Sequence, residues 1–290
     1  MSKQITYVND LASIVSNYKL ILCDAWGVLH NGLKAYPEAV ECLRAARTLG
    51  AYVVIVTNAP RTEAQLIEYF TQLGIDPLSY DVIISSGQVA RDLLFKDKPG
   101  KIYHLGPSID QALFAGLERE VVLSLNEADV ILNTGLRDNT REKEEDYGDF
   151  LKELLKKNIP MMCVNPDKFV LIGEDRRACA GAIAAIYENL GGKVTWIGKP
   201  YQDIYEVSRQ QFRSVIGEEL APCDCLVIGD SIQTDILGGN NIGSDTLFIY
   251  NGVLASELMQ AGICSNNLQD LMEFCFARGA VPKYVSRDLR

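Results

Sequence analysis

The fold is decided by the stretch Leu20-Ile21-Leu22-Cys23-Asp24-Ala25-Trp26-Gly27-Val28-Leu29-His30-Asn31-Gly32. Its first four residues form a continuous apolar run, which is typical of a strand buried on both faces of a parallel sheet. A carboxylate, Asp24, follows this run directly, and Asn31-Gly32 is a strong signal for a two-residue hairpin turn. The stretch therefore predicts a buried strand that ends on an acidic side chain, followed by a small β-flap beside Asp24.

Apolar runs of strand length alternate with segments of helical period along the rest of the chain. Strands are predicted to begin at Lys19, Tyr52, Asp81, Lys101, Ala128, Pro160, Val194, Cys225 and Thr246. Between the first two, a helix is predicted to begin at Tyr36-Pro37 and to end at Gly50. The alternation predicts an α/β fold with a parallel sheet flanked by helices.

The segment between Thr57 and Lys199 is too long for a single connection, and it carries strands and helices of its own. We therefore predict an inserted domain at residues 86–193, with Ser85-Ser86-Gly87 and Gly191-Gly192 as hinges. The core domain is then discontinuous and comprises residues 1–85 and 194–290.

Bulk composition excludes several classes of partner. The 290 residues carry a formal net charge of −10, and the isoelectric point is about 4.8. Nucleic acids and anionic membranes need a concentrated basic face, so neither is an expected partner. The eight cysteines form no Cys-x-x-Cys pair, and the N-terminus has no continuous apolar leader. These features predict a cytoplasmic protein with reduced thiols.

Polar groups stand at four predicted strand ends. They are Asp24, Thr57-Asn58, Gly198-Lys199-Pro200, and Gly229-Asp230-Ser231 with the later Asp235. Taken singly, each has a plain interpretation as a turn residue, a helix cap or a surface lysine. Ligands of open α/β sheets bind beyond the carboxyl ends of the strands, so the four motifs together favour one shared site.

The residue types suit phosphoryl chemistry. Asp24 and Asp230 are hard oxygen ligands for Mg²⁺. Thr57 and Asn58 can donate hydrogen bonds to phosphoryl oxygens, and Lys199 supplies positive charge. Asp24 could attack phosphorus and form an aspartyl-phosphate. Asp235 is expected to orient a metal-bound water or Lys199 and not to bind the metal itself.

These motifs resemble those of the haloacid dehalogenase superfamily, and their spacing resembles its class IIA branch of NagD-like sugar and nucleotide phosphatases. The resemblance extends from about Tyr18 to Gly252 and includes Asn165-Pro166-Asp167, which otherwise reads as a turn. It implies a Rossmann-like core with an inserted α/β cap. It also implies the activity of a Mg²⁺-dependent phosphatase that acts on a small phosphorylated metabolite, and it is compatible with a homodimer.

The same resemblance implies roles for particular residues. Asp24 would be the nucleophile, and the metal ligands would be Asp24, Asp230 and the backbone carbonyl of Trp26. Thr57, Asn58 and Lys199 would bind the phosphate, and Lys199 would also take part in catalysis.

Trp26 departs from the family pattern, because an acid/base aspartate usually occupies this position. An indole N–H can donate a hydrogen bond but cannot exchange a proton usefully at neutral pH. Acid/base catalysis contributes about 10²- to 10⁴-fold, so an enzyme could survive its loss at a reduced rate. His30 is a candidate replacement base, although the predicted hairpin favours an exposed structural residue.

Two other functions stay open. One is an ester hydrolase of the haloacid dehalogenase type, whose members also carry an aromatic residue at the position of Trp26. The other is a phosphate-ligand binding protein with weak or no turnover. The pattern Asp24-Ala25-Trp26-Gly27-Val28 also resembles a less characterised class IIA subgroup, so the substitution need not mean an inactive protein.

Overall fold

The computed structural model of the protein describes residues 5–96, 100–263 and 267–290. The chain folds into two compact units. The terminal unit comprises Met1–Thr57, Ile67–Ile84 and Tyr205–Arg290, and the middle unit comprises Asn58–Leu66 and Ser85–Ile204.

The regular elements alternate along the chain as predicted. The strands are β1 (Thr6–Tyr7), β2 (Leu20–Cys23), β3 (Tyr52–Thr57), β4 (Val82–Ser85), β5 (Ile102–Leu105), β6 (Val121–Val122), β7 (Val130–Asn133), β8 (Met161–Cys163), β9 (Phe169–Ile172), β10 (Asp175–Ala178), β11 (Val194–Trp196), β12 (Cys225–Gly229), β13 (Asp245–Ile249) and β14 (Tyr284–Ser286). The α-helices are α1 (Ala12–Val15), α2 (Pro37–Thr48), α3 (Glu63–Leu73), α4 (Ser86–Lys96), α5 (Gly148–Lys157), α6 (Ala180–Asn189), α7 (Gln202–Ile216), α8 (Leu237–Asn241), α9 (Ala255–Gln260) and α10 (Leu268–Ala277). Short 3₁₀ helices lie at Pro77–Ser79, Ser108–Phe114, Leu125–Glu127, Glu144–Tyr147 and Pro222–Asp224, and a π-helical turn lies at Ile232–Ile236.

The sheet of the terminal unit has the strand order β1-β14-β13-β12-β2-β3-β4. The pairings from β1 through β3 are all parallel. Strand β2 lies inside this sheet, and its residues Leu20 to Cys23 are at most 1% exposed. A continuous apolar run suits a strand that is covered on both faces. The predicted α/β fold with a parallel sheet is confirmed.

The middle unit has a parallel sheet of its own, ordered β11-β8-β7-β5-β6. An antiparallel pair, β9 and β10, forms a separate two-stranded sheet. Helices α5 and α6 contribute Leu151, Leu154 and Ile183 to the apolar core of the middle unit. There these side chains pack with Ile131 and Met161 of the parallel sheet. Along α5 the buried positions recur every three residues between solvated ones, whereas α6 is buried over most of its length.

The units differ in two places from the predicted domain boundaries of 1–85 plus 194–290 and 86–193. Strand β11 was assigned to the core domain, but Val194 to Trp196 pair with β8 and so extend the middle unit's sheet. Residues Asn58–Leu66 also belong to the middle unit. The division into a catalytic core and a cap remains a prediction.

The predicted flap forms a compact loop, which we define as residues 25–36. His30 and Ala35 make a single antiparallel bridge, Asn31 N–H donates to the Lys34 carbonyl at 3.2 Å, and Tyr36 N–H donates to the Leu29 carbonyl at 2.7 Å. The turn is shifted by one residue from the prediction, because Asn31 pairs with Lys34 and leaves Gly32-Leu33 as the two turn residues, and it is not flanked by two strands.

Two further observations concern the described residues. Every cysteine within them has a free thiol, while Cys264 lies outside the described residues. None of the helices within them is both long enough and apolar enough to cross a bilayer.

Candidate active site

Asp24 and Asp230 meet because the strands that precede them are neighbours. In the parallel pairing of β2 with β12, Cys23 lies opposite Ile228. Asp24 continues the ladder, since its N–H donates to the Ile228 carbonyl at 2.8 Å. The two carboxylates therefore leave the same edge of the sheet, as the strand-end argument predicted.

Asp235 joins these two residues. Carboxylate oxygens of Asp24, Asp230 and Asp235 all lie within 4.8 Å of one another, and the side chains are buried at 8%, 4% and 1% exposure. We call this group the acidic cluster. Among the described residues, it is the one cluster of three or more His, Cys, Asp or Glu side chains that lie close enough together to hold a metal ion.

A π-helical turn brings Asp235 back to the strand end. The N–H groups of Asp235 and Ile236 both donate to the Ser231 carbonyl, and Asp235 Oδ2 accepts from Ser231 N–H at 3.1 Å. A Cβ atom at Gly229 would overlap the Asp235 side chain, so glycine is required there. The sequence argument kept Asp235 out of direct ligation, whereas its carboxylate lies within the cluster.

Asp230 is held by groups that the sequence analysis missed. Val253 N–H donates to its Oδ2 at 2.6 Å, and a Cβ atom at either Gly27 or Gly252 would overlap the same carboxylate. The missed signal is the Gly252-Val253 pair, because it follows β13, the neighbour of β12 in the sheet. Burial raises the pKa of Tyr36, and the negative charges of Asp230 and Asp288 raise it further.

The acidic cluster fits a divalent cation. Three buried carboxylates repel one another unless a proton or a cation compensates them. Mg²⁺ binds hard oxygen ligands at 2.0–2.1 Å, so two of its ligand oxygens are separated by at most about 4.2 Å. The separations within 4.8 Å in the acidic cluster come close to this limit before any adjustment of the side chains.

The side chain of Trp26 packs inside the flap. A Cβ atom at Gly32 would lie 2.5 Å from Trp26 Cζ2, and the indole meets the His30 ring edge-on with centroids 4.9 Å apart. Gly32 has a φ of +84°, which a glycine adopts without strain. Trp26 is therefore a packing residue of the flap.

His30 is buried, so the expectation of an exposed hairpin residue was wrong. Its side chain is 1% exposed, and its ring packs edge-on against Tyr69 and Phe70 of α3. Nδ1 accepts a hydrogen bond from Gly32 N–H at 3.1 Å, which places the proton of the neutral ring on Nε2. Tyr69 also fixes the turn, since its hydroxyl donates to the Gly32 carbonyl at 3.0 Å.

In the middle unit, Asn58 and Lys199 lie together. Both are buried, at 2% and 3% exposure. Asn58 Oδ1 accepts from Lys199 N–H at 2.7 Å, and its Nδ2 donates to the Lys199 carbonyl at 3.2 Å and to Asp167 Oδ1 at 3.0 Å. Asp167 belongs to the Asn165-Pro166-Asp167 stretch, which the sequence analysis treated as a turn.

The predicted site residues are thus found in two groups. Asp24, Trp26 and Asp230 lie in the terminal unit, as does Thr57, the buried last residue of β3. Asn58, directly after Thr57, and Lys199 lie in the middle unit.

Comparison with known proteins identifies relatives of the chain. A family model described as haloacid dehalogenase-like hydrolase matches residues 21–118, and a model described as HAD-hydrolase-like matches residues 196–271. The chain is 26% identical to the 5′-nucleotidase YutF of Bacillus subtilis over 250 residues, covering 84% of this chain and 92% of that one. It is also 26% identical to the ribonucleotide monophosphatase NagD of Escherichia coli over 239 residues, covering 81% and 88% of the two chains.

A solved structure is similar over nearly the full length. The crystal structure of a hydrolase of the haloacid dehalogenase-like family from Brucella suis superposes with a TM-score of 0.86 at 33% identity, covering 98% of this chain and 100% of that one. This chain therefore belongs to the haloacid dehalogenase-like hydrolase family.

Proposed function

We propose that the protein is a Mg²⁺-dependent phosphatase that hydrolyses a small phosphorylated metabolite, a sugar or nucleotide phosphate, through Asp24. The acidic cluster carries the proposal, because it gathers buried hard ligands at the carboxyl ends of neighbouring strands. The nucleotidase and ribonucleotide monophosphatase names of the relatives support the substrate class.

Each site residue has a role in this reaction. A carboxylate oxygen of Asp24 attacks phosphorus, the bond from phosphorus to the leaving oxygen breaks, and an aspartyl-phosphate forms. Water then attacks the phosphorus and restores the Asp24 carboxylate. Thr57 donates a hydrogen bond to the phosphoryl group, and Lys199 offsets its negative charge. When bound by Asp24, Asp230 and the Trp26 carbonyl, Mg²⁺ would neutralise charge as the anionic substrate approaches Asp24.

Protonation of the leaving oxygen is the weak point of this site. Trp26 cannot act as a general acid. The buried His30 has its Nδ1 lone pair engaged by Gly32 N–H, which argues against His30 as the general base. We therefore expect the enzyme to favour substrates whose leaving groups need no proton, such as aryl phosphates, over alkyl phosphates.

The test is phosphate release from a panel of sugar, nucleotide and aryl phosphates, measured with Mg²⁺ and with a chelator. We expect activity that requires Mg²⁺ and falls to background in Asp24→Asn. The exposed Asp149 on α5 provides the matched control, since Asp149→Asn makes the same chemical change at a position far in sequence from every proposed site residue. Activity that persists in Asp24→Asn would remove Asp24 from the mechanism.

Trp26 is the reason for the two alternative functions, an ester hydrolase of the haloacid dehalogenase type and a phosphate-ligand binding protein. Both can be tested with the same protein. Halide release from a haloacid without Mg²⁺ would instead support the ester hydrolase. Tight binding of a metabolite without turnover, unchanged in Trp26→Asp, would support the binding protein.

A further inference from the structure

We propose that Asn58 and Asp167 are positioning residues for Lys199, and that the Asn58 side chain does not bind the phosphoryl group. The proposal rests on the proposed function for the role of Lys199. It replaces the sequence-based expectation that Asn58 donates to a phosphoryl oxygen.

The hydrogen bonds of Asn58 leave its amide no donor for a ligand. An asparagine NH₂ group has two hydrogens, and both are used, one by Asp167 Oδ1 and one by the Lys199 carbonyl. The remaining group, Oδ1, accepts from Lys199 N–H. The reverse amide orientation would set a carbonyl oxygen against a carboxylate and against another carbonyl, so the pattern fixes the assignment.

Asn58 therefore holds the backbone of Lys199 on both sides of its Cα atom. One amide group binds the N–H and the carbonyl of the same residue, which restricts both backbone dihedrals at the root of the lysine side chain. Gly198 makes this approach feasible, because a Cβ atom there would lie 2.5 Å from Asn58 Oδ1, and its φ is +121°.

Asp167 in turn fixes Asn58. A carboxylate acceptor makes a stronger hydrogen bond with an amide than a neutral acceptor does. Asp167 is itself held, because its N–H donates to Asn165 Oδ1 at 3.1 Å and its carbonyl accepts from Gly181 N–H at 3.2 Å. A Cβ atom at Gly181 would overlap the Pro166 and Asp167 carbonyls, so this glycine lets α6 approach the loop.

The chain of contacts gives the Asn165-Pro166-Asp167 stretch a function beyond a turn. Asp167 orients Asn58, and Asn58 orients the backbone from which the Lys199 ammonium extends. Losing Asp167 should therefore affect the reaction only through Lys199.

A double-mutant cycle tests this coupling. The variants are Asp167→Ala, Lys199→Met and the pair together, with Asp149→Ala as the exposed control. The readouts are kcat and KM on an aryl phosphate and the affinity for inorganic phosphate by calorimetry. We expect Asp167→Ala to lower kcat by about 10- to 100-fold, the range for loss of one charge-assisted hydrogen bond. In the Lys199→Met background, Asp167→Ala should change neither kcat nor phosphate affinity further.

Conservative variants separate positioning from folding. Asp167→Asn keeps an acceptor for Asn58 Nδ2 and should restore kcat to within about 3-fold of the wild type, since the loss is that of charge assistance alone. Thermal unfolding of each variant identifies any that do not fold, and Asp167→Ser then replaces Asp167→Ala in the cycle.

Several results would overturn the proposal. If the kcat losses of Asp167→Ala and Lys199→Met multiply in the double variant, Asp167 acts independently of Lys199. Weaker phosphate binding in Asn58→Ala within the Lys199→Met background would make Asn58 a direct ligand. If Lys199→Met leaves the affinity for inorganic phosphate unchanged, Lys199 does not bind the phosphoryl group and the proposal fails.

Failure of the proposed function gives a different result. A wild-type protein that releases no phosphate from any substrate, yet binds inorganic phosphate through Lys199, contradicts the phosphatase assignment. The binding cycle then still decides the roles of Asn58 and Asp167.

Discussion

At the scale of single residues, Gly27 shows how the absence of one side chain shapes the acidic cluster. Its φ is +80°, and a Cβ atom there would overlap Asp230 Oδ2. Gly74, at the end of α3, has a φ of +79° and no atom within 4 Å of the same hypothetical Cβ. The two glycines therefore share a backbone conformation and differ in what surrounds them.

This pair gives a controlled prediction about metal binding. Gly74→Ala should lower the free energy of unfolding by about 1 kcal/mol, because alanine is strained at positive φ, and Gly27→Ala should lower it further because its methyl group also overlaps the Asp230 carboxylate. Only Gly27→Ala should displace the Asp230 carboxylate, and we expect it to weaken Mn²⁺ binding, followed by electron paramagnetic resonance, by roughly 10-fold or more. Equal Mn²⁺ affinities in the two variants would show that Asp230 does not bind the metal.

At the scale of elements, the Trp26 indole packs over the Gly32-Leu33 turn of the flap. Asn31 closes this turn, because its Oδ1 accepts from Leu33 and Lys34 N–H at 3.0 Å. The indole, His30 and Tyr69 add further contacts.

Gly32→Ala tests the flap. At position 32 the new methyl would press on the indole as well as strain the backbone, whereas at Gly50, with a φ of +98°, it would meet no atom within 4 Å. Overpacking costs about 1–3 kcal/mol, so Gly32→Ala should lower the melting temperature more than Gly50→Ala does. In a Trp26→Ala background this excess should disappear. An excess that survives removal of the indole would show that Trp26 is not what Gly32 accommodates.

At the scale of the whole molecule, the sequence predicted nine strands of the described part of the chain and missed β1, β6, β9, β10 and β14. Each predicted strand start lies within two residues of an observed one, because buried parallel strands are continuous apolar runs. The two-residue strands β1 and β6, and the polar β10 of sequence Asp175-Arg176-Arg177-Ala178, carry no such pattern. Strands β1 and β6 pair with β14 and β5, and β10 pairs with β9 directly before it.

The site shows the same limit. Asp24 and Asp230 were predictable because both directly follow buried strands that could be recognised. The burial of His30 depends on rings from α3, and Asn58 meets Asp167 at a sequence separation of 109. Contacts over such distances follow from tertiary packing, which a single sequence does not reveal.

The stability of the molecule should depend on Asp110, a carboxylate that the proposed mechanism does not use. Its side chain is 2% exposed, and burial raises its pKa from 3.8 to about 6, against the opposing effects of a hydrogen bond from Thr134 and the charge of Arg61. Between these pH values the folded state holds a proton that the unfolded state has released. Stability from this group is therefore present below pH 4 and is lost as the pH rises through 6.

Asp110→Asn should remove this dependence. Since one pKa unit corresponds to about 1.4 kcal/mol, the variant should gain at most about 3 kcal/mol on the wild type between pH 4 and pH 7. His104 titrates in the same range with the opposite sign, because burial and then Arg137 lower its pKa to about 4. The informative quantity is therefore the difference in free energy of unfolding between variant and wild type, from urea denaturation at each pH, with the exposed Asp149→Asn as control. A difference that stays constant from pH 4 to pH 7 would mean that Asp110 is charged in the folded protein throughout, with its charge fully compensated by Thr134 and Arg61.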